Sequence, residues 1–415
     1  MVPVPESAPP GGRRPWAGRR VVLGVTGGIA AYKTVQLARD LTKLGALVDV
    51  VMTRTALEFV GPITFEALTG RAIHSEILQP GRALDHIRLA READMVCVAP
   101  ATADFLARAA AGRADDLLAA ILLATRVPVV ICPAMNDAMW AHPQTARNVA
   151  HLAASLHYRI VGPASGALAY AEGEGPGRLI EPAEILEHIG RALEAPNPVS
   201  DRKVVVTAGP TREAVDPVRT LSNRSSGRMG FALASAAWRR GADVTLVAGP
   251  TALPVPPLTR VIRVETAGQM AEAVSREIGD ADVLLMAAAV ADFRPANPAS
   301  SKIKRNDGVP RIDLEPAPDI LATTRPLRPK GLVAVGFALE TGNGESEARR
   351  KLDAKGLDFI VLNRADEAGA GFESETNHVT IIGRDGRVED IPLTTKTAVA
   401  ELILDRVAER LSGRT

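Results

Sequence analysis

The apolar pattern along the chain alternates between short unbroken runs and longer stretches with helical spacing. RVVLGV (Arg20–Val25), LVDVVMT, ADMVCVAP and VPVVICPAMN read as four strands, each separated from the next by helical sequence. Runs of this length belong to strands buried on both faces, and their alternation with helices predicts a parallel sheet. The pattern pauses at ILEHIGRALEAPNPVSDRK, where a helix ends and Pro196, Pro198 and Ser200 mark an interdomain linker. It then restarts with KVVVTAG, GADVTLVAG, ADVLLMAAAV and GLVAVGFALE. LDFIVLN follows a lysine-bearing helix, HVTIIGRDGRVEDIPL alternates as a β-hairpin turning at Asp385-Gly386, and KTAVAELILDRVAERL closes the chain as an amphipathic helix. The expected class is α/β, with two tandem Rossmann-like doubly wound parallel-sheet domains. The expected boundaries are a loose tail at 1–18, a first domain at 19–190, a linker at 191–202 and a second domain at 203–415.

Composition narrows the function classes. The 415 residues carry 49 Lys+Arg against 48 Asp+Glu, a formal charge of +1, and 46% are hydrophobic. That balance suits a globular protein and argues against nucleic-acid binding through overall charge. Cys97 and Cys132 are the two cysteines, each inside an apolar run. They form neither a disulfide framework nor a zinc cluster, which fits a reducing cytoplasm. No apolar stretch approaches the ~20 residues that span a bilayer. The Pro-, Gly- and Arg-rich start has no apolar segment of the signal-peptide kind. The expectation is a soluble, cytoplasmic protein acting on small molecules.

Two glycine-bearing turns carry candidate chemistry. VTGGIAAYK places Gly27 and Gly28 between a strand and a helix start, where backbone N–H groups can approach a phosphate. A tight turn with no ligand is the alternative. The turn matches neither G-x-G-x-x-G nor G-x-x-x-x-G-K-[ST], which disfavours a dinucleotide site and a P-loop. TAGPTREAVDPVRTLSNRSSGRMG, from Thr207 to Gly230, is polar and donor-rich before a helix that begins near Met229. Such a loop suits a phosphate or an anionic acyl phosphate, against the alternative of a long solvated loop.

At these residues a resemblance becomes specific. GVTGGIAAYK, DHIRLAREADMVCVAPATAD and PAMN resemble the flavin-dependent cysteine decarboxylases. TAGPTREAVDPVR, SNRSSGRMGFALA, AAAVADFRP, SSKIKR and VGFALET resemble phosphopantothenoylcysteine synthetase. In order and spacing, from about Arg20 to the C-terminus, the chain is similar to the bifunctional coenzyme A biosynthesis family, decarboxylase first and ligase second. The resemblance implies a flavodoxin-like first domain that binds FMN, oxidises the thiol of 4′-phosphopantothenoylcysteine, and so eases loss of the neighbouring carboxylate. It places cofactor contacts at Gly27, Gly28, Ile29, Thr53, Ala101, Thr102 and Met135, the catalytic histidine at His86, and substrate contacts at Asn136. A neutral imidazole can take the thiol proton.

Two departures from that pattern stand out. The flap reads GALAYAEGEGPGR, so Tyr170, or Ala171 if the gap falls differently, occupies the place of a proton-donating cysteine. A tyrosine, with an ordinary pKa of ~10, donates reluctantly at neutral pH, and bound water is the alternative donor. Asp115-Asp116 stands where the family has an asparagine, and Asp115 needs protonation or a partner such as Arg113 beside a substrate carboxylate.

For the second domain the resemblance implies activation of 4′-phosphopantothenate by CTP to an acyl-cytidylate, then attack by cysteine. It places Asn223 on the acyl-cytidylate and Arg219 in its conversion. Met286, Ala287 and Ala288 pack on the cytosine, Asp292 binds the nucleotide or Mg²⁺, and Lys302 reaches the triphosphate from a lid. Ala317, Pro318, Asp319, Ile320 and Phe337 frame the nucleotide, while Lys351 and Lys355, four apart on a helix, face the phosphates. Without the family, the two lysines read as a solvated helix face. The rival readings are a ligase on a flavin scaffold, motivated by the flap, and a non-catalytic regulatory flavoprotein, which the Asn223, Asp292 and Lys302 set opposes. By analogy the assembly is a homo-oligomer, a dodecamer of decarboxylase trimers and ligase dimers with the first type of site at subunit interfaces.

Overall fold

The computed structural model describes residues 14–78, 80–257, 260–304, 311–340, 344–364 and 374–413. The described chain divides into two compact units that meet in sequence between Glu194 and Ala195.

The first unit contains β1 (Arg20–Val25), α1 (Ala31–Lys43), β2 (Leu47–Met52), α2 (Pro62–Thr69), α3 (Asp85–Glu92), β3 (Met95–Ala101), α4 (Ala103–Ala110) and α5 (Leu117–Ala124). It continues through β4 (Val129–Pro133), α6 (Asp137–Ala141), α7 (Pro143–Ala154), β5 (Arg159–Ile160), a hairpin of β6 (Ala164–Ala167) and β7 (Glu174–Arg178), and α8 (Pro182–Leu193). The five-stranded parallel sheet has the order β2-β1-β3-β4-β5. That is the flavodoxin-like winding, whose switch point lies between β1 and β3. Successive strand residues alternate between the two faces. Val21, Leu23 and Val25 join the core under α1 and α8, whereas Val22, Val96 and Val98 join the one under α3, α4 and α5.

The second unit contains β8 (Lys203–Ala208), β9 (Arg212–Ala214), β10 (Thr220–Ser222), α9 (Arg228–Arg239), β11 (Asp243–Ala248), β12 (Arg260–Arg263), α10 (Ala267–Glu277) and β13 (Val283–Met286). After it come β14 (Phe293–Pro295), β15 (Leu314–Pro316), α11 (Ile320–Thr324), β16 (Val333–Glu340), α12 (Gly344–Ala354), β17 (Phe359–Arg364), β18 (Thr376–Gly383), β19 (Val388–Thr395) and α13 (Lys396–Ser412). The eight-stranded sheet runs β12-β11-β8-β13-β16-β17-β18-β19. Its first six strands are parallel, and β18 and β19 add an antiparallel edge. Counted along the chain, the parallel part has the order 3-2-1-4-5-6, the dinucleotide-fold winding, with the switch point between β8 and β13. Val204 and Val206 pack under α9 and α13, and Val205 and Leu284 under α10 and α12.

Two expected boundaries shift. Trp16 is buried in the first core, so the ordered packing starts before Arg19. The helix expected to end near 190 continues to Leu193, and Val199 is already buried in the second core. Among the described residues no helix is long and apolar enough to cross a membrane.

Candidate active sites

The first cavity, about 560 Å³, opens at the carboxyl ends of β1 and β3, where the winding reverses. Strand β1 runs into Thr26, whose hydroxyl donates to the Pro100 carbonyl at 2.8 Å and accepts from the Thr102 N–H at 3.1 Å. This clamp holds the Gly27-Gly28 turn against the Thr102 turn. A Cβ on Gly27 would lie 2.4 Å from the Thr55 side chain, so only glycine brings the backbone this close. Of the expected residues, Gly27, Gly28, Ile29, Thr102, Met135 and Asn136 line this cavity. Asn136 caps α6 by accepting from the Ala138 N–H at 2.9 Å. The opposite wall is the β6–β7 hairpin, tied down by the Met135 N–H donating to the Gly177 carbonyl at 2.9 Å.

Other expected residues lie elsewhere. Ala101 and Thr53 are buried behind the lining: Ala101 points into the sheet core, and Thr53 caps a short turn of helix by accepting from the Ala56 N–H. Tyr170 is fully exposed and lies outside the lining, whereas its neighbours Ala169 and Glu172 belong to it. Asp115 is held by Arg113 at 2.6 Å and Arg108 at 3.3 Å, away from the cavity. His86, on α3, is also outside this cavity within one chain, and its Nδ1 is buried without a hydrogen-bond partner among the described residues. Sequence reading missed Lys33, Glu172 and Arg178 on the lining. Lys33 donates to the Leu179 carbonyl at 3.2 Å and pairs with Glu181 at 2.9 Å, which pulls the Glu181 carboxyl below its ordinary range. An apolar lining of Ile29, Met135, Met139, Leu168 and Leu179 with a glycine cradle and a few polar groups suits a planar, phosphate-bearing cofactor such as FMN.

The second cavity, about 530 Å³, lies at the carboxyl ends of β13, β16 and β17 and the start of α9. The two switch-point strands are joined by their outgoing loops. The Ala288 N–H donates to the Thr207 hydroxyl at 3.1 Å, the Ala289 N–H to the Gly209 carbonyl at 2.9 Å, and the Ala291 N–H to the Thr211 hydroxyl at 3.0 Å. Helix α9 sits tightly on β8, because a Cβ on Gly230 would come within 2.4 Å of the Ala208 Cβ. Its N-cap, Gly227, has φ +80°, a left-handed conformation that glycine takes without strain. Asn223, Ala287, Ala288, Asp292, Phe337 and Lys351 of the expected set line this cavity. Asn223 is placed by donating to the Val290 carbonyl at 2.9 Å.

The rest of the expected set surrounds the cavity at a distance. Met286 is buried under the sheet end, where its sulfur accepts from the Thr207 hydroxyl at 3.7 Å. Arg219 turns to Asp216 at 2.9 Å and donates to the Ile303 carbonyl at 2.9 Å. That side-chain hydrogen bond from Arg219 holds the Asp216 carboxyl well below the ordinary carboxylate range. Lys302 is exposed next to that contact, and Arg305, at the end of the same motif, lies outside the described residues. Ala317 donates its N–H to the Asp292 carbonyl at 2.9 Å, but the Ala317, Pro318, Asp319 and Ile320 segment is not part of the lining. The two lysines of α12 separate: Lys351 lines the cavity, whereas Lys355 pairs with Asp319, which caps α11. Arg224 and Arg228, from the donor-rich loop, also line the cavity, together with Asn363, Asn377 and Lys396, which were not expected from the sequence. Among the described residues no group of three His, Cys, Asp or Glu side chains could hold a metal ion, so Asp292 is the cavity's carboxylate toward a cation.

A flavoprotein-type α/β unit followed by a second nucleotide-fold unit defines the class, and comparison with known proteins specifies it further. Residues 13–194 match the family model described as "Flavoprotein", and residues 199–411 match "DNA/pantothenate metabolism flavoprotein C-terminal domain". The chain is 46% identical over 413 residues to the coenzyme A biosynthesis bifunctional protein CoaBC of Mycobacterium tuberculosis, covering 95% of this chain and 97% of that one. It is 44% identical over 399 residues to CoaBC of Vibrio cholerae, covering 95% and 99%. A crystal structure of the C-terminal domain of a CoaBC is 39% identical, with a TM-score of 0.45, and covers 52% of this chain and 99% of that chain. The chain belongs to the family of bifunctional coenzyme A biosynthesis proteins.

Proposed function

We propose that this enzyme makes 4′-phosphopantetheine from 4′-phosphopantothenate and cysteine, with ligation in the second unit and decarboxylation in the first. The observation that carries the reading is the convergence of Asn223, Asp292, Phe337 and Lys351 on one cavity at the second switch point, with a separate glycine-cradled cavity at the first. In the ligation, a carboxylate oxygen of 4′-phosphopantothenate attacks the α-phosphorus of CTP and pyrophosphate leaves. The amine of cysteine then displaces CMP from the acyl carbon. Asn223 is fixed by Val290 so that its amide meets the developing charge, and Lys351 balances the phosphates. Asp292 would hold Mg²⁺, which would supply charge neutralisation at the triphosphate.

In the first unit, FMN held over the Gly27-Gly28 turn would supply the two-electron chemistry that makes the cysteinyl carboxylate labile. Asn136 orients the substrate's polar groups, and the hairpin wall excludes water. His86 is proposed to act at the cavity of a neighbouring copy, which fits its position outside its own chain's cavity and an assembly of trimers and dimers into a dodecamer. A reducing cytoplasm suits the two buried thiols. Tyr170, exposed on the hairpin, remains the proposed donor alongside water.

Mass-resolved product analysis tests this on FMN-loaded protein given 4′-phosphopantothenate, cysteine, CTP and Mg²⁺. Release of CO₂ with 4′-phosphopantetheine is expected. Accumulation of 4′-phosphopantothenoylcysteine with CMP and no CO₂ would leave only the ligase on a flavin scaffold.

A further inference from the structure

Helix α3 begins with Leu84 at its cap, Asp85 as its first residue and His86 as its second. Leu84 offers no side-chain cap, so the start of the helix is held by other means. His74 supplies them. It lies along the end of β2, where its N–H donates to the Val50 carbonyl at 3.0 Å and its carbonyl accepts from the Met52 N–H at 2.8 Å. The backbone of His74 thereby belongs to the sheet edge. Its imidazole is 8% exposed, and Nδ1 stands 3.1 Å from Oδ2 of Asp85, which is equally buried. The other Asp85 oxygen accepts from Arg88 Nε at 3.2 Å and Nη2 at 3.1 Å. Burial holds the His74 pKa below its ordinary value; Asp85 and Asp49 oppose that shift, and Arg82 and Arg88 add to it. A carboxylate only accepts, so the network assigns the neutral His74 its proton on Nδ1. One hydrogen bond to a charged acceptor thus joins the sheet edge to the first turn of α3.

We propose that His74 and Asp85 are positioning residues for the decarboxylation, acting through His86. The inference rests on the reading of His86 as the catalytic histidine and deepens it. His86 Nδ1 has no hydrogen-bond partner among the described residues, so no bond at that atom fixes its imidazole and the backbone that carries it must. A histidine that acts at a neighbouring copy's cavity has to be placed from its own chain's side. Asp85 is the residue immediately before it, and His74 ties that residue to the edge of β2. Without the bond the first turn of α3 is released, while Leu89 and Ala90 keep the rest of the helix in the core. A reacting group displaced by about 1 Å loses about a hundredfold in rate. Neither His74 nor Asp85 lines the flavin cavity, so flavin binding does not depend on the pair.

Decarboxylation of supplied 4′-phosphopantothenoylcysteine by the FMN-loaded full chain tests this, with rates expressed per bound flavin. His74→Leu removes the donor and should lower kcat roughly ten- to a hundredfold, with KM within about twofold of wild type. His74→Asn, whose amide N–H stands where Nδ1–H stood, should recover most of that loss. A pair that served only the stability of the unit would lower its melting temperature or flavin content and leave kcat per flavin unmoved. The double variant reads the route: once His86→Asn is in place, His74→Leu should cost no further rate. An unchanged kcat per flavin in His74→Leu overturns the proposal, and so does a full additional loss in the His86→Asn background. If that background is too slow to compare, recovery in His74→Asn decides alone. Should His74→Leu not retain FMN, Asp85→Asn takes its place; it sets an NH₂ group against either His74 or Arg88 and should cost about tenfold in kcat. Wild-type kcat in His86→Asn would overturn the reading of His86 itself, whereas an impaired His86→Asn beside an unimpaired His74→Leu overturns the positioning alone.

Discussion

Replacing Glu401 by alanine removes the carboxylate that joins two buried guanidinium groups beneath the second sheet. Glu401, on α13, accepts from Arg239 at 2.6 Å and from Arg240 at 2.7 and 3.2 Å, both arginines being on α9 or at its end. The three side chains are between 1% and 3% exposed, so solvent does little to screen or replace the contacts. Removing one partner of a buried ion pair costs about 3–5 kcal/mol, because charge is left behind in a medium that solvates it poorly. Arg240 keeps Asp405 at 2.8 Å, which places the expected loss near the lower end, at about 3 kcal/mol. For a unit of this size that corresponds to roughly 6–12 °C in melting temperature. Differential scanning calorimetry of the full chain resolves it as a shift in the second unit's transition, with the first unit's unchanged. Glu401→Gln, which keeps an acceptor but not the charge, should lose less. Simultaneous replacement of all three by apolar residues should restore most of the stability. A Glu401→Ala shift below about 2 °C would show that the cluster does not carry the α9–α13 contact and would refute the reasoning.

Three further outcomes are expected. Gly27→Ala should yield protein with little bound flavin by absorbance, since the new methyl would meet Thr55 at 2.4 Å, while CMP formation continues at the wild-type rate. Asn223→Ala should lower CMP formation by about 100-fold or more through loss of a donor to developing charge, with decarboxylation of supplied 4′-phosphopantothenoylcysteine unchanged. Burial, then the Arg159 and Arg191 charges, lower the His188 pKa from 6.5 to about 4. The unfolded chain therefore binds the extra proton first, and the first unit should lose about 3 kcal/mol as pH falls from 6.5 to 4. His188→Leu should flatten that slope in urea titrations.

The sheet strands were legible because both faces are covered, so each reads as an unbroken apolar run; Val21 to Val25 and Val204 to Ala208 are examples. The hairpins β6–β7, β9–β10 and β14–β15 were not read as strands. They are short, largely polar and partly exposed, so neither apolar alternation nor a turn dipeptide marks them. The site residues carried by the strand-end turns, such as Gly27, Thr102 and Ala287, were readable because motif and geometry share one segment. Lys396 was not, since in sequence it is merely the polar first residue of an amphipathic helix. Its burial follows only when β18 folds back beside β17. The Lys351 and Lys355 pair shows the limit of helical spacing, which puts both on one face but cannot say that Asp319 captures the second.

The antiparallel edge and the closing helix supply Asn377 and Lys396 to a cavity whose other walls are built from the nucleotide fold. For genetics this makes the stretch that encodes β18, β19 and α13 a sensitive region rather than a dispensable one. A nonsense allele after Gly383 would leave all six parallel strands encoded, yet it would delete β19 and the whole of α13. Such an allele belongs with the ligase-null class.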